Sequence, residues 1–274
     1  MSSPPKPFAN PSFVGVILAG QRPGRVDPLA ESAGVVNKNL VPIEGAPLVR
    51  HVVDALAATP GLTRLRIVVE PATAPLIDAA LPHGGEPQID YVPAANNLAD
   101  SVYAAVEGVG DMPILVTTAD NVLLTPGAVT QVLAALEGGA DVSLAMATQA
   151  SVLAAHPEGQ RRFYKFRDDA YSNCNLYAFA GPAATSAAES FRSGGQFAKK
   201  PMRMIMALGP INLALLLMGR LSLRGALNRL GRRFRLKVEP VVLADGAHAI
   251  DVDNQRTYAV AETLLAKRAL TAAA

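Results

Sequence analysis

The sequence has a single cysteine, Cys174, among 274 residues. One cysteine excludes an intramolecular disulfide and removes cysteine-based zinc sites, which points to a reducing cytosol. No histidine stands near Cys174 in sequence, so it reads as a packed strand residue and not as a nucleophile. The four histidines, His51, His83, His156 and His248, share no metal-ligand spacing; this argues against zinc and leaves each as a surface or helix residue. The net charge is only +2, too small for the whole chain to attract nucleic acid or an anionic membrane. Any basic function must come from local clusters, and these occur near Arg161 to Arg167 and Arg220 to Lys237. The opening "MSSPPKPFANPS" lacks an apolar signal-like core and reads as a disordered lead-in over residues 1–12, which argues against secretion. No internal repeat is visible.

An uninterrupted membrane-spanning run is also missing. "PMRMIMALGPINLALLLMG" approaches spanning length, but Arg203, Pro210 and Asn212 interrupt it, and a central arginine costs about 2.5 to 3.5 kcal/mol on insertion. A buried helical pair is the plain reading of this stretch. A helix lying on a bilayer, or a cover over a greasy acceptor, is the alternative.

What is present is a regular alternation. Half of the residues are apolar and 18% are charged, which fits one large α/β domain over residues 13–274. "FVGVILAG" is followed by a helix near Leu48 to Ala58, "RLRIVVE", a helix near Ala74 to Ala80, "QIDYVPA" and a helix from Leu98 to Gly108. "PILVTTAD", a helix from Thr125 to Leu136, "DVSLAMA", "SNCNLYAFAG", a helix from Pro182 to Phe191, "KVEPVVLA" and a helix from Arg256 to Ala272 complete the series. Strands that alternate with helices predict right-handed crossovers and a mostly parallel sheet covered on both faces, with ligands at the carboxyl ends of the strands. Two segments depart from this rhythm: the polar stretch Gln149 to Ser172, and an apolar and basic helical insert over residues 193–235.

The first strand runs into "GQRPGR". A strand tip that enters a glycine-containing loop leaves backbone N–H groups for phosphate oxygens, and Arg22, Arg25 and Lys38 add full charges nearby. At the end of "ILVTTAD", Asp120 is badly placed for a core and well placed for Mg²⁺, which favours oxygen ligands and substrate phosphates.

"LAGQRPGR" followed by "NKNLVPIEGAPLVRHVVDAL" resembles the opening of the nucleotidyltransferases related to molybdenum-cofactor guanylyltransferase and to the sugar-phosphate cytidylyltransferases. Gly20, Arg25, Lys38, Gly45 and Pro47 match that pattern in order, whereas Gln21 and Pro23 stand where the family has glycines and a glycine is displaced to Gly24. The resemblance implies a Rossmann-like, GT-A-type sheet. It implies nucleotide contacts from Leu18, Ala19, Gly20, Gln21, Arg22, Gly24, Asn97 and Ser101. It implies catalytic roles for Arg25, Lys38, Asp120 and Asp253, with Mg²⁺ on Asp120 and Asp253 and Asp251 held in reserve. Ser101 also fits a plain N-cap or helix-surface role, and Asp253 or Asn254 could cap the last helix.

The reaction implied is attack by an acceptor phosphate on the α-phosphorus of CTP or GTP, with loss of pyrophosphate and no covalent intermediate. Arg162, Lys165, Arg167 and Asn175 are the acceptor-side candidates. The insert predicts a lipid-type acceptor or peripheral membrane contact through residues 199–235, at the inner face of a membrane in an otherwise cytoplasmic protein. Nucleic acid is not an expected partner. The rivals are an inactive nucleotide-binding module, kept alive by Gln21 and Pro23, and a nucleotide-sugar glycosyltransferase, which "TADNVLL" disfavours because it lacks an Asp-x-Asp.

Overall fold

The computed structural model describes residues 12–21, 27–81, 87–192, 214–216 and 218–273. A strand covered by helices on both faces must be apolar along its length. β1 (Phe13–Leu18) meets that condition, with Phe13, Val14, Val16 and Ile17 fully buried. Its alternate side chains feed two cores: Phe13 and Ile17 join the larger one, Val14 and Val16 the smaller one on the opposite face.

The chain continues through α1 (Pro28–Ser32), β2 (Pro42–Ile43), β3 (Ala46–Pro47), α2 (Leu48–Ala57) and β4 (Leu62–Val69). Between β2 and β3, Glu44 and Gly45 both have positive φ, at 46° and 79°, the backbone of a two-residue hairpin turn in which glycine is at ease. On α2 the buried residues Leu48, Val49, Val52, Val53 and Leu56 form one helical stripe against the larger core. Next come α3 (Ala74–Ala79), β5 (Gln88–Pro93), α4 (Leu98–Val106), β6 (Ile114–Thr118), α5 (Pro126–Glu137) and β7 (Val142–Thr148). The last part holds α6 (Gln149–Ala155), β8 (Tyr164–Lys165), β9 (Ala170–Phe179), α7 (Leu223–Phe234), β10 (Val238–Leu243) and α8 (Gln255–Ala273).

The main path of the sheet runs β5-β4-β1-β6-β9-β7-β10, with β8 paired to β9 off that path. All pairs on the path are parallel except those of β9, which is antiparallel to both β6 and β7. The result is the expected mostly parallel α/β sheet. Successive units move outward from β1 to β4 and β5, then restart on the other side with β6, so the strand order reverses beside β1. The carboxyl ends of β1 and β6 therefore flank the switch point, the place where such sheets bind ligands.

Two expectations change in detail. The polar segment begins with a helix, α6, because Thr148 caps it by accepting from the Ser151 amide at 3.1 Å. Pro182–Phe191 is helical but of the tighter 3-10 type. Within the insert, α7 is a regular helix capped by Ser222, whereas residues 193–213 and Leu217 lie outside the described residues. Among the described residues no helix is long and apolar enough to cross a membrane. Cys174 is buried in β9 as expected, and burial pushes its thiol well above the usual value. Of the two placements expected for His248, surface or helix, it takes the second, buried in the single 3-10 turn Gly246–Ala249.

That turn packs so closely on α6 that a Cβ at Gly246 would stand 2.2 Å from the backbone of Ser151 and Val152. At Gly127, in the first turn of α5, nothing lies within 4 Å of the added carbon. Gly246→Ala is therefore expected to destabilise the protein by about 2 kcal/mol or more in urea unfolding. Gly127→Ala, by the same measurement, leaves stability unchanged or raises it by up to about 1 kcal/mol.

Candidate active site

Lys38 sits on a single helical turn, Lys38–Leu40, and that turn is pinned from both sides. The Asn37 side chain accepts from the Asn39 amide at 2.8 Å, and Asn39 Nδ2 donates to the Ala19 carbonyl at 2.6 Å. The turn is thus fastened to the end of β1. Asp120 follows β6, the next strand across. The Asp120 carbonyl accepts from the Val252 amide at 3.1 Å, which ties the segment Asp251–Asp253 to the same strand tip. Segments that start more than a hundred positions apart in sequence are therefore held side by side by backbone bonds.

The side chains converge in the same place. Lys38 Nζ lies 2.5 Å from Asp120 Oδ2 and 3.7 Å from Asp253 Oδ1. Lys38 and Asp120 are mostly buried, whereas the Asp253 side chain is 57% exposed. Burial opposes the lysine charge, yet the carboxylates of Asp120, Asp253 and Asp27 outweigh it and hold the ammonium above its usual pKa. Lys38 is a fixed cation at every physiological pH.

Asp251 is the deeper of the two terminal carboxylates. Its Oδ2 accepts from Asn175 Nδ2 at 2.6 Å, while its Oδ1 is buried with no partner. Burial first, then repulsion from Asp120 and Asp253, pushes its carboxyl well above the usual range. The reserve position is thus the more enclosed one, and Asp253 is the one facing outward. Capping of α8 falls to neither aspartate: Asn254 Oδ1 accepts from the Arg256 and Thr257 amides.

Asn175 reaches Asp251 by an irregular route. Between the pairs Leu144–Tyr177 and Met146–Asn173, β9 carries Cys174, Asn175 and Leu176 opposite the lone Ala145. Within this bulge Asn175 adopts φ 47°, a left-handed backbone that L residues other than asparagine and aspartate rarely enter. Asn173 Nδ2 donates to Asn175 Oδ1 at 2.9 Å and fixes the orientation of that carboxamide. Strain of this kind persists where surrounding structure enforces it, and it is concentrated at functional sites.

A divalent cation fits these residues. Asp120 Oδ1 and Asp251 Oδ1 are both buried without a hydrogen-bond partner, and hard oxygen donors are what Mg²⁺ takes. Among the described residues no three acidic, histidine or cysteine side chains form a complete metal cage. A cation here would need further oxygens from a phosphate substrate or water, which is the usual habit of Mg²⁺.

Beside the carboxylates opens a cavity of about 600 Å³. Arg161, Arg162 and Arg256 supply positive charge to its wall, and Asn173, Asn175 and Asp251 supply polar groups. Of the acceptor-side candidates, Arg162 and Asn175 line this cavity, whereas Lys165 and Arg167 are exposed and do not; Arg161 and Arg256, which were not among those candidates, also line it.

On the nucleotide side the picture is mixed. Arg22, Gly24 and Arg25 lie outside the described residues. Leu18 and Ala19 are tied into the sheet, the Leu18 carbonyl accepting from Ala119 and the Ala19 amide donating to Val68. The Gln21 amide donates to Glu70 Oε1 at 2.6 Å, so two amides expected to await phosphate are already bonded. Gly20 is where the chain passes close to β5: a Cβ there would meet that of Ala94 at 3.1 Å. Asn97 caps α4, its side chain accepting from the Asp100 amide at 3.0 Å, and the Ser101 hydroxyl accepts from the Ala95 amide at 3.0 Å. These two hydrogen-bonding groups serve the local fold.

Sequence reading missed Asn39, Glu70 and Asn121. Asn121 is fully buried, and its Nδ2 donates to the Cys174 carbonyl at 3.0 Å, locking the β6 tip to β9 beside the bulge. The asparagines that flank Lys38 in "NKN" were the visible signal for the first of them. Strain and bond at Asn175 can be separated by mutation. Asn175→Gly relieves the backbone and Asn175→Ala does not, so the glycine variant is expected to be the more stable by about 1 kcal/mol in urea unfolding. Both lose the bond to Asp251.

The chain is similar to several known proteins. Two curated 2-C-methyl-D-erythritol 4-phosphate cytidylyltransferases are similar to the chain: one from an Enterobacter species, 35% identical over 98 residues, and one from Escherichia fergusonii, 38% identical over 74 residues. These stretches span 35% and 27% of this chain and 41% and 30% of the relatives, less than half of either. A solved structure described as a hypothetical transferase from Thermus thermophilus is 27% identical, with a TM-score of 0.72 over 90% of this chain and 99% of that one. The fold is shared with 4-diphosphocytidyl-2C-methyl-D-erythritol synthase from Anaerococcus prevotii, at 12% identity, a TM-score of 0.58 and coverage of 94% of this chain and 97% of that one. A CMP:2-keto-3-deoxy-manno-octonic acid synthetase solved with CTP shares it too, at 14% identity, a TM-score of 0.56 and coverage of 94% and 99%. The model of the MobA-like NTP transferase domain matches residues 15–210, most of the chain, and the protein belongs to that family.

Proposed function

We propose that this protein transfers a nucleoside monophosphate from a nucleoside triphosphate, CTP by preference, to a phosphorylated acceptor, and releases pyrophosphate. The observation that carries the reading is the meeting of Lys38 with Asp120 and Asp253 at the switch point beside β1, next to an arginine-lined cavity. The preference for CTP is supported by the two curated relatives, both named cytidylyltransferases.

Each group has a task in this reading. Asp120 and Asp253, with the enclosed Asp251 in reserve, would hold Mg²⁺ together with phosphate oxygens, and the ion when bound would draw charge from the phosphates and orient them. Lys38, kept charged and fixed by its two carboxylates, places an ammonium where negative charge grows on the transferred phosphoryl group. Arg161, Arg162 and Arg256 bind the acceptor phosphate. An oxygen of that phosphate forms the new bond to the α-phosphorus, and the bond from the α-phosphorus to the β-phosphate bridging oxygen breaks. Near neutral pH the acceptor oxygen is already ionised, so no general base is assigned. Asn175 and Asn173 hold the Asp251 carboxylate in register with that cavity.

No specific observation favours the glycosyltransferase or the inactive-module reading. The discriminating assay supplies each NTP with Mg²⁺ and phosphorylated acceptors and scores pyrophosphate release. Turnover with CTP is the expected result, and tight nucleotide binding without turnover under all acceptors tried would favour the inactive module. Lys38→Ala is expected to lower kcat by about 10²- to 10³-fold with little change in the KM for nucleotide. Arg162→Ala is expected to raise the KM for the acceptor roughly tenfold or more while the KM for nucleotide stays the same.

A further inference from the structure

The outward face of α7 takes no part in the site, and its chemistry is distinctive. From Arg220 to Lys237 the sequence holds seven cations and no carboxylate, and all seven are exposed. On α7 itself the helical repeat sorts the residues into two arcs. Leu223, Ala226, Leu227, Leu230 and Gly231 share one arc, and Arg224, Arg229, Arg232 and Arg233 share the other. Leu223, Ala226 and Gly231 are buried, and Leu227 packs against both the smaller core and the cluster of Met146 and Tyr171. The apolar arc is therefore consumed by the fold. What the helix offers to solvent is charge.

Arg224 pairs with Glu239, and Lys237 Nζ donates to the Gly138 carbonyl at 3.2 Å. Arg233 also stands over the Phe234 ring at 5.6 Å. At the start of the patch Met218 is 57% exposed beside Arg220, an apolar side chain among cations, which suits a lipid headgroup layer better than a nucleic-acid backbone. The patch is joined to the acceptor side. The Arg167 amide donates to the Leu221 carbonyl at 2.9 Å, and Asp168 Oδ1 accepts from the Leu223 amide at 3.0 Å. Asp168 follows β8, whose Tyr164 lines the arginine-walled cavity.

We propose that the cationic face of α7 docks the protein peripherally on a bilayer of anionic phospholipid, with no span and no insertion of the helix. The apolar arc cannot enter the lipid while it packs on the sheet, so attraction is electrostatic and must weaken with salt. Docking through α7 sets the segment that borders the acceptor cavity beside the membrane surface. The proposal is independent of the transfer reaction, and its test needs no substrate.

The experiment is co-sedimentation of the full chain with vesicles of phosphatidylcholine alone and of equimolar phosphatidylcholine and phosphatidylglycerol. Binding to the anionic vesicles alone is expected, and raising the salt from about 0.05 to about 0.5 M should release the protein. The variant R229Q/R232Q/R233Q is expected to partition on the order of a hundredfold less, whereas Lys267→Gln on α8 changes little. Circular dichroism and thermal unfolding verify that the variant keeps its fold, and the salt series on the unmodified protein carries the test if it does not. No binding to anionic vesicles at low salt, equal binding to neutral vesicles, or displacement of the protein from vesicles by duplex DNA at equal charge concentration would each overturn the proposal.

Discussion

Three carboxylates gathered at one sheet edge repel one another, and the structure tolerates them because Lys38 stands among them. The ammonium contacts Asp120 and reaches Asp253, and the turn that bears it is anchored to β1 through Asn39. A charge removed from water must be paired, so the lysine and the aspartates depend on one another's position. The cost is not fully met. Asp120 and Asp251 each keep a buried oxygen without a donor, and Asp251 answers by holding its proton more tightly. That shortage of positive charge is what the proposed Mg²⁺ would relieve.

The surrounding fold maintains that arrangement with a few long-range bonds. Val252 to Asp120 joins the two carboxylate segments, and Asn121 to Cys174 joins β6 to β9 at the bulge. The bulge turns Asn175 into a left-handed conformation and so aims its carboxamide at Asp251. A regular antiparallel strand alternates its side chains between faces, and the extra residues break that alternation. Irregularity in β9 is thus what couples the carboxylates to the cavity of Arg161, Arg162 and Arg256.

Much of the architecture was legible in the alternation of apolar strands and helices, since both periods are local properties. The bounds of β1, α2, β4 and β5 lie within a few residues of the sequence reading. Short elements were not legible: α1, the β2-β3 hairpin and α6 are too brief for a periodic signal and rest on caps and turn residues such as Asp27, Gly45 and Thr148. In the site, Lys38, Asp120 and Asp253 were found through their motifs. Asn39, Glu70 and Asn121 were not, because each acts by bonding backbone far away in sequence, and beyond the asparagines beside Lys38 no local pattern records this.

The sequence by itself determined which chemical groups were available: one lysine after the first loop, one aspartate at a strand tip, a pair of aspartates before the last helix, and a stretch of cations free of acids. Those follow from residue type and spacing. Only the tertiary structure decided that Asp251 is enclosed while Asp253 faces outward, that Asn97 and Ser101 serve as local caps, and that Arg161 and Arg256 replace Lys165 and Arg167 around the cavity. Depth and orientation depend on how strands far apart in the chain come into register, and that is a property of the assembled sheet.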